Sequence, residues 1–296
     1  MTSANKISSA KKYTQRSQSA EIWRRMVKNK GAMLGLAVFI LLALVAVFAD
    51  VMFDYETDII GQNIMDRFQG PSWQHPFGTD NLGRDIFKRV LYGTRFSLSV
   101  GVVAVAIAMF CGVTLGAVAG YYGGKTEDII MRITDIFAAV PNILMGIAIV
   151  AALGANTLNL MIAVGVTSIP QFVRVTRAAV LTVRNQEYIE SAKAISLSDA
   201  QIIFSHVLPN CLSPIIVQAT LRVASAIISA SSLSFLGLGV PAPAPEWGSM
   251  LSAGRGFIRR YGYMTIFPGL AIMVTVLSLN LLGDGLRDAM DPKLRR

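Results

Sequence analysis

Long apolar stretches, separated by short polar ones, set the pattern of this chain. A helix needs about 20 apolar residues to cross a bilayer. Apolar runs of that length recur, and Pro and Gly fall within or between them. The pattern therefore predicts six membrane-spanning helices, placed near residues 32–51, 97–121, 132–153, 158–176, 212–236 and 264–283.

Composition supports this prediction. The 296 residues are 53% hydrophobic and only 15% charged, with a mean hydropathy of +0.52, which excludes an ordinary soluble domain. The fold class that follows is an all-α integral membrane protein. We divide the chain into a tail at 1–30, a first helix with an outer segment at 31–95, a core of five spans at 96–285 and a tail at 286–296.

Basic residues predict the orientation, because Lys and Arg collect on the cytoplasmic side. Most of the 27 Lys and Arg residues fall on one side if both termini are cytoplasmic. Arg84, Lys88, Arg89 and Arg95 conflict locally, because they precede the second span on the outer side. We interpret the net charge of +9 as a topology and lipid-surface signal, with no nucleic-acid partner, and the first span as an uncleaved signal anchor.

The polar interlude between the fourth and fifth predicted spans has the pattern of two short helices. Residues 187–195 are rich in helix formers, and Ser198 or Asp199 can cap a second helix. Ile202, Ile203 and Phe204 give that helix an apolar side, and Pro209 removes a backbone donor before the next span.

Within this interlude, Glu190-Ser191-Ala192, Ser196 and Leu208-Pro209 resemble the spacing of the "EAA" cytoplasmic loop of ABC-type import permeases. The family usually has Ala at position 191 and Gly at 196, so Ser196 makes a left-handed turn less favourable. The resemblance implies a coupling loop at 177–210 that docks on an ATPase subunit. The implied coupling residues are Glu190, Ser191, Ala192, Ser196, Ile202, Ile203, Phe204, Leu208 and Pro209.

Four further stretches resemble the dipeptide/oligopeptide/nickel branch of that family. They are HPFGTD with GRD at 75–85, AGYYGG at 119–124, LGLG with PEWG at 236–248, and GDGLRD with DP at 283–292. The resemblance implies a type I importer permease core with an extra N-terminal span, in the inner membrane. It also implies a second homologous permease, two ABC ATPase subunits, an extracytoplasmic substrate-binding protein and surrounding lipid as partners.

Two alternatives stay open for the outer motif residues. Asp80, Arg84 and Asp85 form either a turn with local ion pairs or a contact with the binding protein. Glu246 and Trp247 likewise either anchor the chain at the membrane interface or contact the binding protein. The carried solute also stays open between a dipeptide, an oligopeptide, a peptide conjugate and a nickel chelate.

An enzymatic function is not predicted. The chain has no GxxxxGK[ST] phosphate loop, so ATP and Mg²⁺ are expected on the partner ATPases and no cofactor on this chain. His75 and His206 lack partners at metal-ligand spacing, so no metal site is predicted. We interpret Cys111 and Cys211, which form no CxxC pair, as packing residues.

Arg222 is the one clear charge deep in a predicted span. It either reaches an interface or a neighbouring carboxylate, or it faces the transport pathway and attracts an anionic group. One such charge is weak support for an ion-coupled secondary transporter, which needs intramembrane ionisable groups, and the coupling loop argues against an assembly-only subunit.

The second span also carries a small residue at every fourth position, a seam that is either functional or plain packing.

Overall fold

A computed structural model of the chain describes residues 18–291, so the predicted tail residues 1–17 and 292–296 lie outside the described part. The described chain is built of α-helices joined by turns. In order they are α1 (Gln18–Lys28), α2 (Lys30–Met52), α3 (Ile86–Tyr122), α4 (Gly124–Ala139), α5 (Asn142–Leu153), α6 (Thr157–Val183), α7 (Glu187–Ala194), α8 (Asp199–Ile202), α9 (Leu212–Phe235), α10 (Trp247–Gly254) and α11 (Tyr263–Met290).

Within residues 18–291, five helical segments are long and apolar enough to cross a bilayer, and they confirm five of the predicted spans. These are α2, α3, α6, the stretch from α8 through α9, and α11. The predicted third span, 132–153, is not one straight helix in the structure, because α4 and α5 meet at a bend of 90°. Val140 adopts an extended conformation before Pro141, as the residue before a proline prefers. A sixth crossing exists only if the bent pair counts as one span.

The third helix is longer than the predicted span at 97–121. It has 37 residues, begins at Ile86 and is capped by the Asp85 carboxylate, which accepts a hydrogen bond from the Lys88 N–H at 3.0 Å. A helix of that length measures about 55 Å, well beyond the roughly 30 Å of the hydrocarbon layer. We call the end of the bundle predicted to be cytoplasmic the inner end. On this length, α3 extends past the bilayer toward both functional regions described below.

Small residues on α3 form the predicted seam, and the seam packs against α6. A Cβ added at Gly112 would lie 2.4 Å from the Phe172 Cβ, and one at Gly116 would lie 2.6 Å from the Val173 carbonyl oxygen. Neither distance is sterically allowed, so the two helices approach closely only because these positions are glycine. The seam is therefore a packing surface within this chain.

The first span, α2, packs along α11 at the edge of the bundle. A Cβ at Gly35 would lie 2.5 Å from the Ser278 carbonyl oxygen, and one at Gly285 would lie 2.1 Å from the Ala32 Cβ. The opposite side of α2 exposes large apolar side chains such as Leu41 and Val47. Close packing on one side and exposed apolar residues on the other suit a helix added at the lipid boundary.

Candidate functional site

The coupling segment, which we define as residues 187–210, contains the two predicted short helices, α7 and α8. The predicted loop at 177–210 starts inside α6, which continues to Val183. The end of α7 is a Schellman motif, in which the Leu197 N–H donates to the Ala192 carbonyl and the Ser196 N–H to the Lys193 carbonyl. Ser196 has φ +59°, so it adopts the left-handed turn that Gly favours.

A capping box begins α8. The Gln201 N–H donates to the Ser198 hydroxyl, and the Ser198 N–H donates to the Gln201 side-chain oxygen at 3.2 Å. Of the two predicted caps, the structure therefore uses Ser198. The other candidate, Asp199, accepts a hydrogen bond from the Tyr121 hydroxyl at 2.8 Å.

One side of the coupling segment is buried against its own chain. Ile189, Ala192, Ile202, Ile203 and Val207 form a cluster with Ala117 of α3 and Val180 of α6. Ala192, Ile202 and Ile203 are therefore buried within this chain, and their predicted contact with an ATPase stays a prediction. The inner ends of α3 and α6 supply apolar surface, and burying these side chains there removes them from water. They support the exposed side of the segment.

The other side of the segment is exposed. We define the coupling surface as the exposed side chains of Glu190, Ser191, Ile195, Ser196, Phe204 and Pro209. Phe204 is 66% exposed and Ile195 is 72% exposed. Ile195 was absent from the predicted set, although its place after Ala192 on the same short helix was a usable signal. Leu208 is half-buried against the cluster below.

Polar contacts attach this segment to the long helices. The Tyr121–Asp199 hydrogen bond joins the inner end of α3 to α8, and the Lys193 ammonium lies 5.4 Å from the centre of the Tyr121 ring. Just before the segment, Arg184 at the end of α6 donates from Nη1 to the Gly120 carbonyl of α3 at 2.8 Å. A displacement of the coupling segment would therefore act directly on α3 and α6.

Two ion pairs hold the bent helix α4 against α6. Arg177 pairs with Glu127, donating from Nε at 2.6 Å, and Arg174 pairs with Asp135 at 2.9 Å. The Arg177–Glu127 pair is the less exposed of the two. Surface pairs of this kind contribute little alone, so their main effect is to fix where α4 lies.

The outer motif residues Asp80, Arg84 and Asp85 are buried and form ion pairs or hydrogen bonds within the outer segment. Arg84 donates from Nε to Asp80 at 2.7 Å, and the Asp85 carboxylate lies 2.8 Å from His75 Nδ1. Asp80 also accepts from the backbone N–H of Leu82 and of Arg84. Of the two alternatives left open above, the turn with local ion pairs is the one seen here. Direct contact with a binding protein stays a prediction, with little exposed side chain to support it.

Glu246 and Trp247 lie deeper still, with 1% and 0% of their surfaces exposed. Glu246 caps α10, accepting from the backbone N–H groups of Gly248 and Ser249 at 2.9 and 2.8 Å. Burial raises the pKa of Glu246, and these two donors partly offset the shift. Trp247 donates from its indole nitrogen to the Val90 carbonyl at 3.0 Å. The predicted interfacial anchor at Trp247 is therefore wrong, because a completely buried ring touches no headgroup.

Arg222 lies in α9 and is half-buried. No residue within 18–291 gives it a hydrogen bond or an ion pair. One turn before it, Gln218 donates to the Gln171 side-chain oxygen at 3.4 Å. Gln218 and Leu221 line a cavity of about 820 Å³ between α6, α9 and α11 at the inner end. Both predicted roles of Arg222 stay predictions.

Sequence reasoning missed several polar contacts on the outer side. Arg89 is buried and donates to the carbonyl oxygens of Ile59 and Pro243, so the local conflict with the charge rule is partly resolved by internal bonding. Asp50 at the end of α2 pairs with Arg95 and accepts from the Tyr92 hydroxyl at 2.5 Å. The acidic residue at the end of the first span, Asp50, was a signal in the sequence that an outer cation such as Arg95 could have a partner.

Among residues 18–291, no group of three or more His, Cys, Asp or Glu side chains is arranged to hold a metal ion. The two histidines have other surroundings: His75 contacts Asp85, and His206 lies in the turn between α8 and α9.

Comparison with known proteins gives matches along most of the chain. Residues 112–296 match the family described as "Binding-protein-dependent transport system inner membrane component". Residues 17–71 match the N-terminal TM domain of oligopeptide transport permease C. The first match covers the predicted core from residue 112 onward, and the second includes the predicted extra span.

Individual relatives agree with the family match. The chain is 48% identical to the dipeptide transport system permease protein DppC of Alkalihalophilus pseudofirmus, over 96% of this chain and 92% of that protein. It is 46% identical to the glutathione transport system permease protein GsiD of Pectobacterium atrosepticum, over 93% and 91%.

The fold also matches a solved structure. An inward-facing structure of the MetNI methionine ABC transporter aligns with a TM-score of 0.56 at 17% identity, covering 69% of this chain and 97% of that one. At that identity the likeness shows the fold, a type I importer permease core. The chain belongs to the binding-protein-dependent inner-membrane components, the permease subunits of ABC importers.

Proposed function

We propose that this chain is the permease subunit of an ATP-driven importer of small peptides. It forms the pathway with a second, similar permease, docks an ATPase subunit through the coupling segment in a complex that holds two ATPases, and receives its solute from a binding protein outside. Both termini lie in the cytoplasm. ATP and Mg²⁺ are held by the ATPase subunits, and this chain contributes no catalytic residue.

The observation that supports this proposal is the two-sided coupling segment. Its buried side is fixed to α3 and α6, while Phe204 and Ile195 are exposed beyond the helix ends. Removing apolar surface from water is favourable by about 25 cal/mol per Å². Covering these two side chains would therefore stabilise a complex with a partner protein. A partner whose affinity for the two transporter states differs would shift the equilibrium between them.

Small peptides are the proposed solutes because the relatives' names point to them. One relative carries the name of a dipeptide permease and another that of a glutathione permease. Both solutes are short and carry a free carboxylate. Arg222 has no partner among the described residues, and a guanidinium suits bidentate contact with a carboxylate. We therefore place Arg222 on the pathway as a transient contact for that group.

Uptake into vesicles tests the proposal. The assembled complex is reconstituted with its binding protein, and uptake of radiolabelled dialanine, glutathione and a nickel chelate is compared with ATP inside and with a proton gradient alone. We expect ATP-dependent uptake of at least one peptide, with its amidated form transported more slowly. Uptake driven by the gradient without ATP would contradict the ABC assignment. Uptake of the nickel chelate only would contradict the peptide assignment.

A further inference from the structure

The N-terminal helix α1 has two apolar edges, and within residues 18–291 only one of them is covered. Ile22 and Met26 pack against Leu282, Leu286 and Ala289 of α11. Trp23 and Val27, on the adjoining edge, are 52% and 47% exposed. The contact with α11 therefore fixes the helix while leaving an apolar strip free.

Two cationic side chains lie beside that strip, and neither forms an ion pair within the described chain. Arg24 and Lys28 are exposed, and no residue within 18–291 gives either of them a hydrogen bond or an ion pair. Arg25, on the same helix, is paired with Glu21 at 2.5 Å. At 100° per residue, Arg24 and Lys28 follow Trp23 and Val27 around the helix. An exposed apolar edge thus borders a cationic one.

The position of α1 places this pair of edges at the bilayer boundary. Asn29 separates α1 from α2, accepting from the Ala32 N–H to cap the spanning helix. The start of α2 and the end of α11 are locked together through Ala32 and Gly285. Trp23 and Val27 therefore lie within two turns of the start of α2, which exposes large apolar side chains.

We propose that the edge of Trp23, Val27, Arg24 and Lys28 binds anionic phospholipid headgroups at the inner end of the bundle. The apolar pair enters the boundary between headgroups and acyl chains, as in interfacial amphipathic helices. The two cations contact the phosphate groups of anionic lipid. The surface is separate from the coupling surface, and its role does not depend on which solute is transported.

Site-specific photo-cross-linking tests this lipid surface. The photoreactive residue p-benzoylphenylalanine replaces Val27, and the chain, assembled with its partner subunits, is reconstituted in vesicles of 80% phosphatidylcholine and 20% phosphatidylglycerol. After irradiation, mass spectrometry gives the phosphatidylglycerol share of the lipid adducts. A basic side chain at an anionic surface is worth about a fivefold preference. We therefore expect the ratio of phosphatidylglycerol to phosphatidylcholine adducts to exceed the bulk ratio by about fivefold or more.

The controls separate this surface from ordinary lipid contact. The same probe at Leu44, an exposed position of α2 with no cation in its turn, should give the bulk ratio. Arg24→Gln and Lys28→Gln should each lower the enrichment at position 27 by about fivefold at most. Lys125→Gln, an exposed cation on α4, should leave it unchanged. The bulk ratio at position 27, or adducts mainly with a partner subunit, would overturn the proposal.

Discussion

The outer motif residues and the coupling segment differ in how far their side chains are buried. Both are polar interruptions between spans, and both carry residues that the sequence marks as partner contacts. Asp80, Arg84 and Trp247 are buried and bonded within the chain, whereas Phe204 and Ile195 are exposed to water. The outer residues therefore stabilise the fold, and the coupling residues offer free surface. A motif match alone does not distinguish these two uses.

The reason for the difference is the length of the helices on each side. The outer end of α3 carries Asp85, Arg89 and Tyr92 into a layer formed with α10 and the turns at 55–66. That layer covers its own polar groups, because buried charges need partners. The coupling segment packs with one side on the inner ends of α3, α6 and α9, and within residues 18–291 nothing covers Phe204 and Ile195 on its other side.

The largest effect should come from the outer layer. Trp247→Ala removes a completely buried ring and the donor to the Val90 carbonyl, and we expect a loss of about 3–5 kcal/mol of stability. The thermal unfolding midpoint of the detergent-purified chain measures it. Trp73→Ala is the matched control, because Trp73 is fully exposed in the same outer segment. Equal effects of the two changes would remove the distinction between the regions.

A change at the coupling surface should instead leave the fold intact and abolish coupling. Phe204→Arg puts a charge where an apolar contact is expected, and a charge buried without a partner is strongly unfavourable. We expect uptake to fall about tenfold or more, with an unchanged unfolding midpoint. Ile64→Arg is the control, since Ile64 is 62% exposed on the outer side. Normal uptake with Phe204→Arg would show that this side chain does not face an ATPase.

The link between the segment and α3 should have a smaller effect. Tyr121→Phe deletes the hydrogen bond to Asp199, worth about 1 kcal/mol, and should lower the ratio of solute transported to ATP hydrolysed by up to about fivefold. Tyr263→Phe is the matched control, because it loses one hydroxyl contact, to the Thr79 carbonyl, at the outer end. A ratio that both variants preserve would show that this bond transmits no force.

The smallest effect concerns the turn after α7. Ser196→Gly relieves a left-handed conformation and should stabilise the segment by about 1 kcal/mol or less. Ser191→Gly makes the same change inside α7 and should destabilise it by about 0.5 kcal/mol. Amide hydrogen exchange of residues 187–197 measures both. Slower exchange with Ser191→Gly than with Ser196→Gly would contradict the assigned turn.

Features that depend on neighbouring residues in the sequence could be predicted, and features that depend on contacts between distant residues could not. Spans, caps and the two short helices depend on local sequence, so the pattern around Ser198 and the apolar runs were sufficient. Pro141 indicates a break in the helix from local sequence, but the 90° angle between α4 and α5 depends on packing. The burial of Ala192, Ile202 and Trp247 depends on how far α3 extends. Contacts such as Arg89 to Pro243 join residues distant in sequence and follow only from the assembled bundle.

The central claim is that the coupling surface is covered by an ATPase subunit. Its most direct test is the labelling rate of Ser191→Cys by a maleimide reagent in inside-out membranes, with Cys111 and Cys211 replaced by Ala. We predict fast labelling of the permeases alone and labelling at least about tenfold slower when the ATPase subunits are bound. Cysteine at Glu187, also exposed on α7, gives a second position on the same helix. An unchanged rate at both positions in the assembled complex would contradict the account.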